Sequence, residues 1–330
     1  MTSEAEQETV EAYRRLTSAL AGMGGVVVAF SGGVDSSLLL AAAQDALGAH
    51  VLAVTACSAT YSSEEKERAV AVAELLGARH LLIDSQEMDD PDYRANPHNR
   101  CYYCKRSLFG ELAAIAAREG ATAVLDGTNR DDYVDTRPGR LAAGEFRVRS
   151  PLAELGFGKN LVRAMARQRG LPNWDQPSGA CLASRIPYGR EITVELLDRV
   201  GGAEQSIRDL GFRQVRVRDQ GDTARIEVAS DELDFTVQPE TRQLLVDACR
   251  RQGYTYVSLD LEGYRTGSMN EALRPAGQAT QATPHHGQRS ESRCGQPCDM
   301  AVGGTPGGSN KESEPGPCPR RHSDPNARNE

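Results

Sequence analysis

The sequence predicts an α/β protein: a doubly wound parallel-sheet domain over residues 1–190, a smaller α/β domain over 191–274, and a disordered tail over 275–330. Three observations predict it. Apolar strands alternate with helix-length segments through the first region, as crossover connections in a parallel sheet require. Strands of the second region alternate apolar with charged residues instead. The third region has no Leu, Ile, Phe, Tyr or Trp, so it cannot bury enough apolar surface to offset its ordering entropy.

Taken in order, residues 4–21 form an amphipathic helix, Val26-Val27-Val28-Ala29-Phe30 a buried strand, and the Leu/Ala-rich run to Leu47 a second helix. The segment 50–55 (HVLAVT) is the next strand, 63–76 a helix, 79–83 a strand, 106–118 a helix and 121–125 (ATAVL) a strand. Beyond residue 190 the pattern gives a helix at 193–210, strands at 214–218 and 224–229, a helix at 240–251 and a strand at 255–259. Arg213, Arg216 and Arg218 beside valines read as a strand's solvated face.

Composition narrows the function. A formal charge of −8 argues against nucleic acid as a partner, because affinity for a polyanion comes from Lys and Arg density. The acidic N-terminus does not resemble a signal peptide, and no apolar run reaches the length of a membrane span, so no membrane partner and a cytoplasmic location are expected. In a reducing compartment, the eight cysteines point to metal or redox chemistry where they cluster.

The chemistry starts at Ser31-Gly32-Gly33-Val34-Asp35-Ser36-Ser37, between the first strand and its helix. Gly32 and Gly33 let backbone N–H groups approach an anion, and Ser31, Ser36 and Ser37 add hydroxyls at the positive helix N-terminus. Asp35 makes sense in such a loop as a Mg²⁺ ligand shared with phosphates. There is no Gly-x-x-x-x-Gly-Lys-Ser/Thr, so this is not the Walker loop. The loop resembles that of the N-type ATP pyrophosphatases, which implies ATP cleavage between the α and β phosphates. Asp126-Gly127-Thr128-Asn129 ends another strand on the same sheet edge; it reads either as an ordinary turn or as part of the nucleotide site.

Cys101 and Cys104 form a C-x-x-C at a helix entrance, where the dipole, Lys105 and Arg106 favour thiolates. Two sulfurs do not complete a metal site, and Cys181, in a polar loop with Arg185 to attract a carboxylate or phosphate, is the best third candidate. Cys57 and Cys249 sit in apolar patterns as buried bystanders. His285, His286, Cys294, Cys298, Cys318 and His322 in the tail match no closed zinc module. Arg265, Ser268 and Asn270 follow the last strand and suit either a substrate phosphate or a capped turn.

Ser31–Ser37, Asn99–Lys105, Asp126–Asn129, Trp174–Pro177, Cys181–Gly189 and Glu262–Asn270 together resemble the LarE family, over about residues 9–274. Its members are ATP-dependent sulfur transferases of nickel-pincer cofactor biosynthesis, serving lactate racemase. The resemblance implies that MgATP adenylylates a carboxylate of pyridinium-3,5-biscarboxylic acid mononucleotide, and that sulfur then converts it to the thiocarboxylate. Two sulfur sources follow from it. Cys181 can be sacrificed, leaving dehydroalanine, or Cys101, Cys104 and Cys181 can hold a [4Fe-4S] cluster carrying an extra sulfide. The resemblance also implies a homo-oligomer, a hexamer. Three other readings share the Ser31 loop: a tRNA thiolase, which would retain tRNA; an ammonia-using NAD or GMP synthetase-like ligase, which would ignore Cys181; and an adenylate sensor, which would release no pyrophosphate.

Overall fold

The computed structural model describes residues 4–133, 138–176, 179, 181–265 and 267–271. The segment expected to be disordered, with its histidines and cysteines, lies outside the described residues. So do Pro177 and Thr266 of the predicted motifs.

The chain opens with α1 (Glu4–Ala21), β1 (Val26–Ala29), α2 (Val34–Leu47), β2 (Val51–Cys57), α3 (Ser63–Leu75) and β3 (Arg79–Asp84). After α4 (Pro91–Arg94) and α5 (Arg100–Glu119) comes β4 (Ala123–Leu125), then α6 (Gly139–Glu145), α7 (Pro151–Glu154) and α8 (Lys159–Gln168). The four strands form one sheet in the order β3-β2-β1-β4, every pair parallel. Chain order runs outward from β1 in one direction to β3, and β4 joins on the other side of β1. The crevice at the carboxyl ends of β1 and β4 is therefore the topological switch point, where open α/β sheets bind ligands.

Local sequence explains this layer. β1 is continuously apolar because both faces are covered: α1, α2 and α8 pack on one side, α5 and α6 on the other. In α2, Leu38, Leu39 and Leu40 are each 0% exposed, so the helix is apolar nearly all round rather than striped. Each such leucine contributes about 1.5–3 kcal/mol on burial. Helix α3 starts at a capping box in which Ser62 and Glu65 satisfy each other's backbone donors. Helix α5 begins six residues earlier than the apolar pattern indicates, which puts Cys101 and Cys104 inside its first turns.

The second region holds α9 (Val194–Arg208), β5 (Val215–Gln220), β6 (Thr223–Val228), α10 (Leu233–Thr236), α11 (Pro239–Arg251), β7 (Tyr256–Leu259) and α12 (Ser268–Glu271). Its sheet runs β5-β6-β7, with β5 and β6 antiparallel and β6 and β7 parallel. Val215, Val217, Ile226 and Val228 meet Ala203, Ile207, Leu245 and Ala248 in a separate apolar core. Arg216 and Arg218 depart from the solvated face expected of them, being 6% and 8% exposed. Arg218 forms a forked pair with Glu227 of β6, at 2.7 and 3.0 Å, and donates to the Ser184 carbonyl at 2.8 Å. A charged strand face can thus be buried when the partner strand supplies the countercharge. Exposed Arg213 keeps to the expectation and pairs with Asp231 and Glu232. No helix among the described residues is long and apolar enough to cross a membrane.

Candidate active site

The loop after β1 turns at Gly32, whose φ of +67° is left-handed and whose added Cβ would lie 2.9 Å from the Ala69 backbone. Gly33 then caps α2 without a side-chain bond, so the positive end of a 14-residue helix opens onto the crevice. The three serines divide their work. Ser31 is exposed. Ser36 is turned inward, accepting from the Ser31 amide at 3.3 Å and donating to the Gly33 carbonyl at 3.1 Å. Ser37, expected to offer its hydroxyl to a phosphate, is 0% exposed and accepts from Asn173 at 2.9 Å. The same Asn173 amide donates to the Gly32 carbonyl at 2.8 Å, so Ser37 braces the loop from beneath.

Asp126-Gly127-Thr128-Asn129 faces this loop across the switch point. Asn129 Nδ2 donates to Asp35 Oδ1 at 3.1 Å. Asp126 is nearly spent on protein partners, accepting from Thr128 Oγ1 of its own turn at 2.9 Å and from the distant Ser150 Oγ at 2.6 Å, with Lys105 Nζ 3.9 Å away. The sequence reading missed Lys159, whose ammonium pairs with Asp35. A signal existed, because a lysine at the first position of a helix opposes the helix dipole and needs another reason to be there. Asp35 still suits Mg²⁺: it is a partly exposed carboxylate, and Mg²⁺ commonly takes one or two carboxylates with phosphate oxygens and water. Lys159 then stands beside it as a second cation for the phosphates.

Gly127 sets how closely the two loops approach. A Cβ there would lie 2.8 Å from the Ser36 amide nitrogen and 3.0 Å from its Cα. Gly127→Ala must push β4 away from α2, at about 1–3 kcal/mol. It is expected to lower ATP–pyrophosphate exchange at least about tenfold, since misplacement by an ångström costs about that or more. Gly144→Ala, in open space on α6, is the control that should leave exchange unchanged.

Cys181 is exposed and immediately precedes a 3-10 turn, Leu182–Arg185. Its carbonyl accepts from Ser184 N at 2.9 Å and Arg185 Nη1 at 3.2 Å. Arg185, expected to meet a substrate anion, is instead 2% exposed and forks onto Glu204 of α9 at 2.7 and 2.9 Å. It shapes the Cys181 turn from within. Ser268, expected at a substrate phosphate, is also buried, between Arg218 at 2.8 Å and Glu227 at 3.4 Å. Arg265 is half-buried and pairs with Asp260 at 3.3 Å and Glu262 at 3.1 Å.

The Tyr93 hydroxyl lies 3.9 Å from Cys181 Sγ. Burial, reinforced by Cys181, Cys104 and Glu87, holds that phenol's pKa above its ordinary value. Burial also pushes the Cys104 thiol up, with Cys181, Glu87 and Cys101 adding to it and Lys105 opposing. At Cys104 this departs from the expectation that the helix dipole and its two cations favour a thiolate: burial opposes the charged form, Lys105 lies 3.9 Å from Asp126, and Arg106 pairs with Asp90 at 3.2 Å. Cys249 is fully buried, its thiol pushed up to about 12 by desolvation, while Cys57 is half-buried. Cys101, Cys104 and Cys181 have the donor chemistry for an iron–sulfur cluster. Among the described residues, however, no three or more His, Cys, Asp or Glu side chains gather to hold a metal ion.

Two consecutive residues join the phosphate loop to the thiol. Thr60, just past β2, accepts from Leu182 N at 3.1 Å. The neighbouring Tyr61 donates its hydroxyl to the Ser31 carbonyl. Cys181 is thereby tied to the same carboxyl edge of the sheet as the anion-binding helix end.

Comparison with known proteins agrees with this arrangement. Residues 8–95, which include the Ser31 loop, match the NAD synthase family. The chain is 47% identical over 247 residues to an uncharacterized protein of Synechocystis, covering 75% of this chain and 92% of that one. It is 41% identical over 269 residues to the pyridinium-3,5-bisthiocarboxylic acid mononucleotide synthase of Lactiplantibacillus plantarum, covering 80% of this chain and 96% of the relative. An uncharacterized protein of Methanocaldococcus jannaschii is 27% identical over 241 residues, covering 73% of this chain and 91% of its own.

Proposed function

This chain belongs to the LarE family of PP-loop ATP pyrophosphatases, and on that premise we propose that it adenylylates a carboxylate of pyridinium-3,5-biscarboxylic acid mononucleotide and converts it to the thiocarboxylate with sulfur handled by Cys181. The observation that supports the reading is the Thr60–Tyr61 link, which ties the loop of an exposed thiol to an ATP-type phosphate loop. An amide-forming ligase has no use for that thiol.

The chemistry needs both halves. A carboxylate is a poor electrophile because its leaving group would be oxide, and adenylylation replaces oxide with AMP. The Ser31 loop and α2 receive the triphosphate, and Lys159 offsets charge as pyrophosphate departs. Mg²⁺, when bound at Asp35, supplies further neutralisation of the phosphates. Cys181 then attacks the acyl carbon as thiolate, forming a thioester and expelling AMP. In the sacrificial route the Cys181 Cβ–S bond breaks next. The exposed Cys181 thiol suits that route.

A single anaerobic turnover with MgATP and the biscarboxylate mononucleotide tests this. The expected result is pyrophosphate, thiocarboxylate, and a protein lighter by the elements of H₂S at Cys181. Product with unchanged protein mass and iron–sulfur absorbance would move the sulfur source to a cluster. Absence of product, with retained tRNA or ammonia-dependent activity, would overturn the proposal.

A further inference from the structure

We propose that the Tyr93 phenol is the hydrogen-bond donor that holds the Cys181 sulfur and stabilises the charge it gains when its bond to Cβ breaks. The inference rests on the sulfur-transfer reading above and deepens it.

Tyr93 is placed with unusual firmness for a residue on a four-residue helix. Pro91 starts that helix, and Asp90 caps it by accepting from Asp92 N at 2.9 Å. The ring is 1% exposed and packs with Leu182, Ala183 and Ile186, the residues that follow Cys181. Backbone bonds then lock the two segments in register. Ile192 N donates to the Arg94 carbonyl at 2.8 Å and Gly189 N to the Asn96 carbonyl at 2.9 Å. Asn96, 0% exposed, returns two bonds from its side chain, to Ile186 O at 3.2 Å and Pro187 O at 2.8 Å. The phenol is consequently held at the sulfur by the same framework that shapes the thiol loop, not by a free rotor.

The electron balance shows when that donor matters. When the thiolate attacks the acyl adenylate, an S–C bond forms and the C–O pair leaves with AMP. In the following elimination the Cys181 α-hydrogen passes to solvent base, its bonding pair forms Cα=Cβ, and the Cβ–S pair goes to sulfur. The products are dehydroalanine and a thiocarboxylate anion. The sulfur loses its charge when the thiolate is acylated, and negative charge returns at the elimination to the atom 3.9 Å from the Tyr93 hydroxyl. A buried, pre-placed donor stabilises such developing charge more than water does.

Tyr93→Phe removes the hydroxyl and keeps the ring. The expected result is unchanged pyrophosphate release and unchanged KM for ATP and the mononucleotide. Thiocarboxylate formation should slow by about 10- to 100-fold, and a protein–substrate thioester should accumulate in the intact-mass spectrum. Tyr93→Leu, which also removes packing, should lower the melting temperature and impair both half-reactions. Tyr93→Phe transferring sulfur at the wild-type rate would overturn this inference alone. So would wild-type turnover that makes product with no loss of mass, since no Cβ–S bond has then broken. A wild-type chain that makes no thiocarboxylate would overturn the sulfur-transfer reading together with it.

Discussion

Cys181→Ala is expected to abolish thiocarboxylate formation, by at least about a thousandfold, while leaving substrate-dependent pyrophosphate release within about twofold of wild type. The separation follows from the two halves of the site. The phosphate loop, Asp35, Lys159 and Asn129 make no side-chain bond to Cys181 among the described residues, so removing its sulfur leaves the adenylylating half as it was. Two other cysteines are poorly suited to substitute: Cys104 is held as a thiol by burial, and Cys249 is sealed in the core of the second region. The turn itself should survive, because Ser184 and Arg185 grip the Cys181 carbonyl and the side chain is exposed. Stability should shift by no more than about 0.5 kcal/mol. Pyrophosphate release measured beside thiocarboxylate by chromatography checks the split. Equal loss of both would mean that Cys181 is needed to assemble the nucleotide site, and loss of neither would mean that Cys181 does not handle the sulfur.

Glu204→Leu is expected to cost about 3–5 kcal/mol of folding free energy, the range for stranding one partner of a buried ion pair. Arg185 would lose both bonds of its fork while remaining 2% exposed, and Arg208 and the Val217 amide would lose their acceptor as well. Urea unfolding measures the cost. A double-mutant cycle with Arg185→Leu should return a coupling of about 2 kcal/mol, within the range for residues in one network. The pair also predicts an acid dependence. Burial by itself would raise the Glu204 pKa, but the Arg185 charge and its hydrogen bonds, with Arg216 and the Val217 amide, outweigh it and hold the carboxyl below its usual value. A group with a depressed folded pKa contributes stability above its unfolded pKa, about 4.3, and loses it as pH falls through the folded value. Wild type should lose this contribution on acidification, and Glu204→Gln, which cannot ionise there, should lack that component. A Glu204→Leu chain as stable as wild type would show that the network shapes the Cys181 turn without stabilising the fold.

Where a residue's role follows from its immediate neighbours in the chain, the sequence was readable. The run Val26 to Phe30, two glycines and a Leu/Ala helix leave few alternatives to a buried strand, an anion loop and a helix, and they appear in that order. The alternating valines of β5 likewise marked one strand face as core. Charged and polar residues were misread where the decisive partner is distant in sequence. Arg185 and Ser268 carry the chemistry of anion binders, yet Glu204, Arg218 and Glu227 claim them first. Ser37 is diverted in the same way by Asn173.

Sequence by itself determined the parallel α/β layer, the anion loop at its strand end and Cys181 as the thiol of interest, because periodicity, glycine placement and residue chemistry are local properties. Only the tertiary structure decided which polar groups remain available: Lys159 joins Asp35 across the crevice, Thr60 and Tyr61 draw the thiol loop to the phosphate loop, and Tyr93 stands over the sulfur. The reason is that a buried charge or hydroxyl must be satisfied by whichever complementary group the fold brings within about 3 Å, and that neighbour is chosen by packing across long stretches of chain.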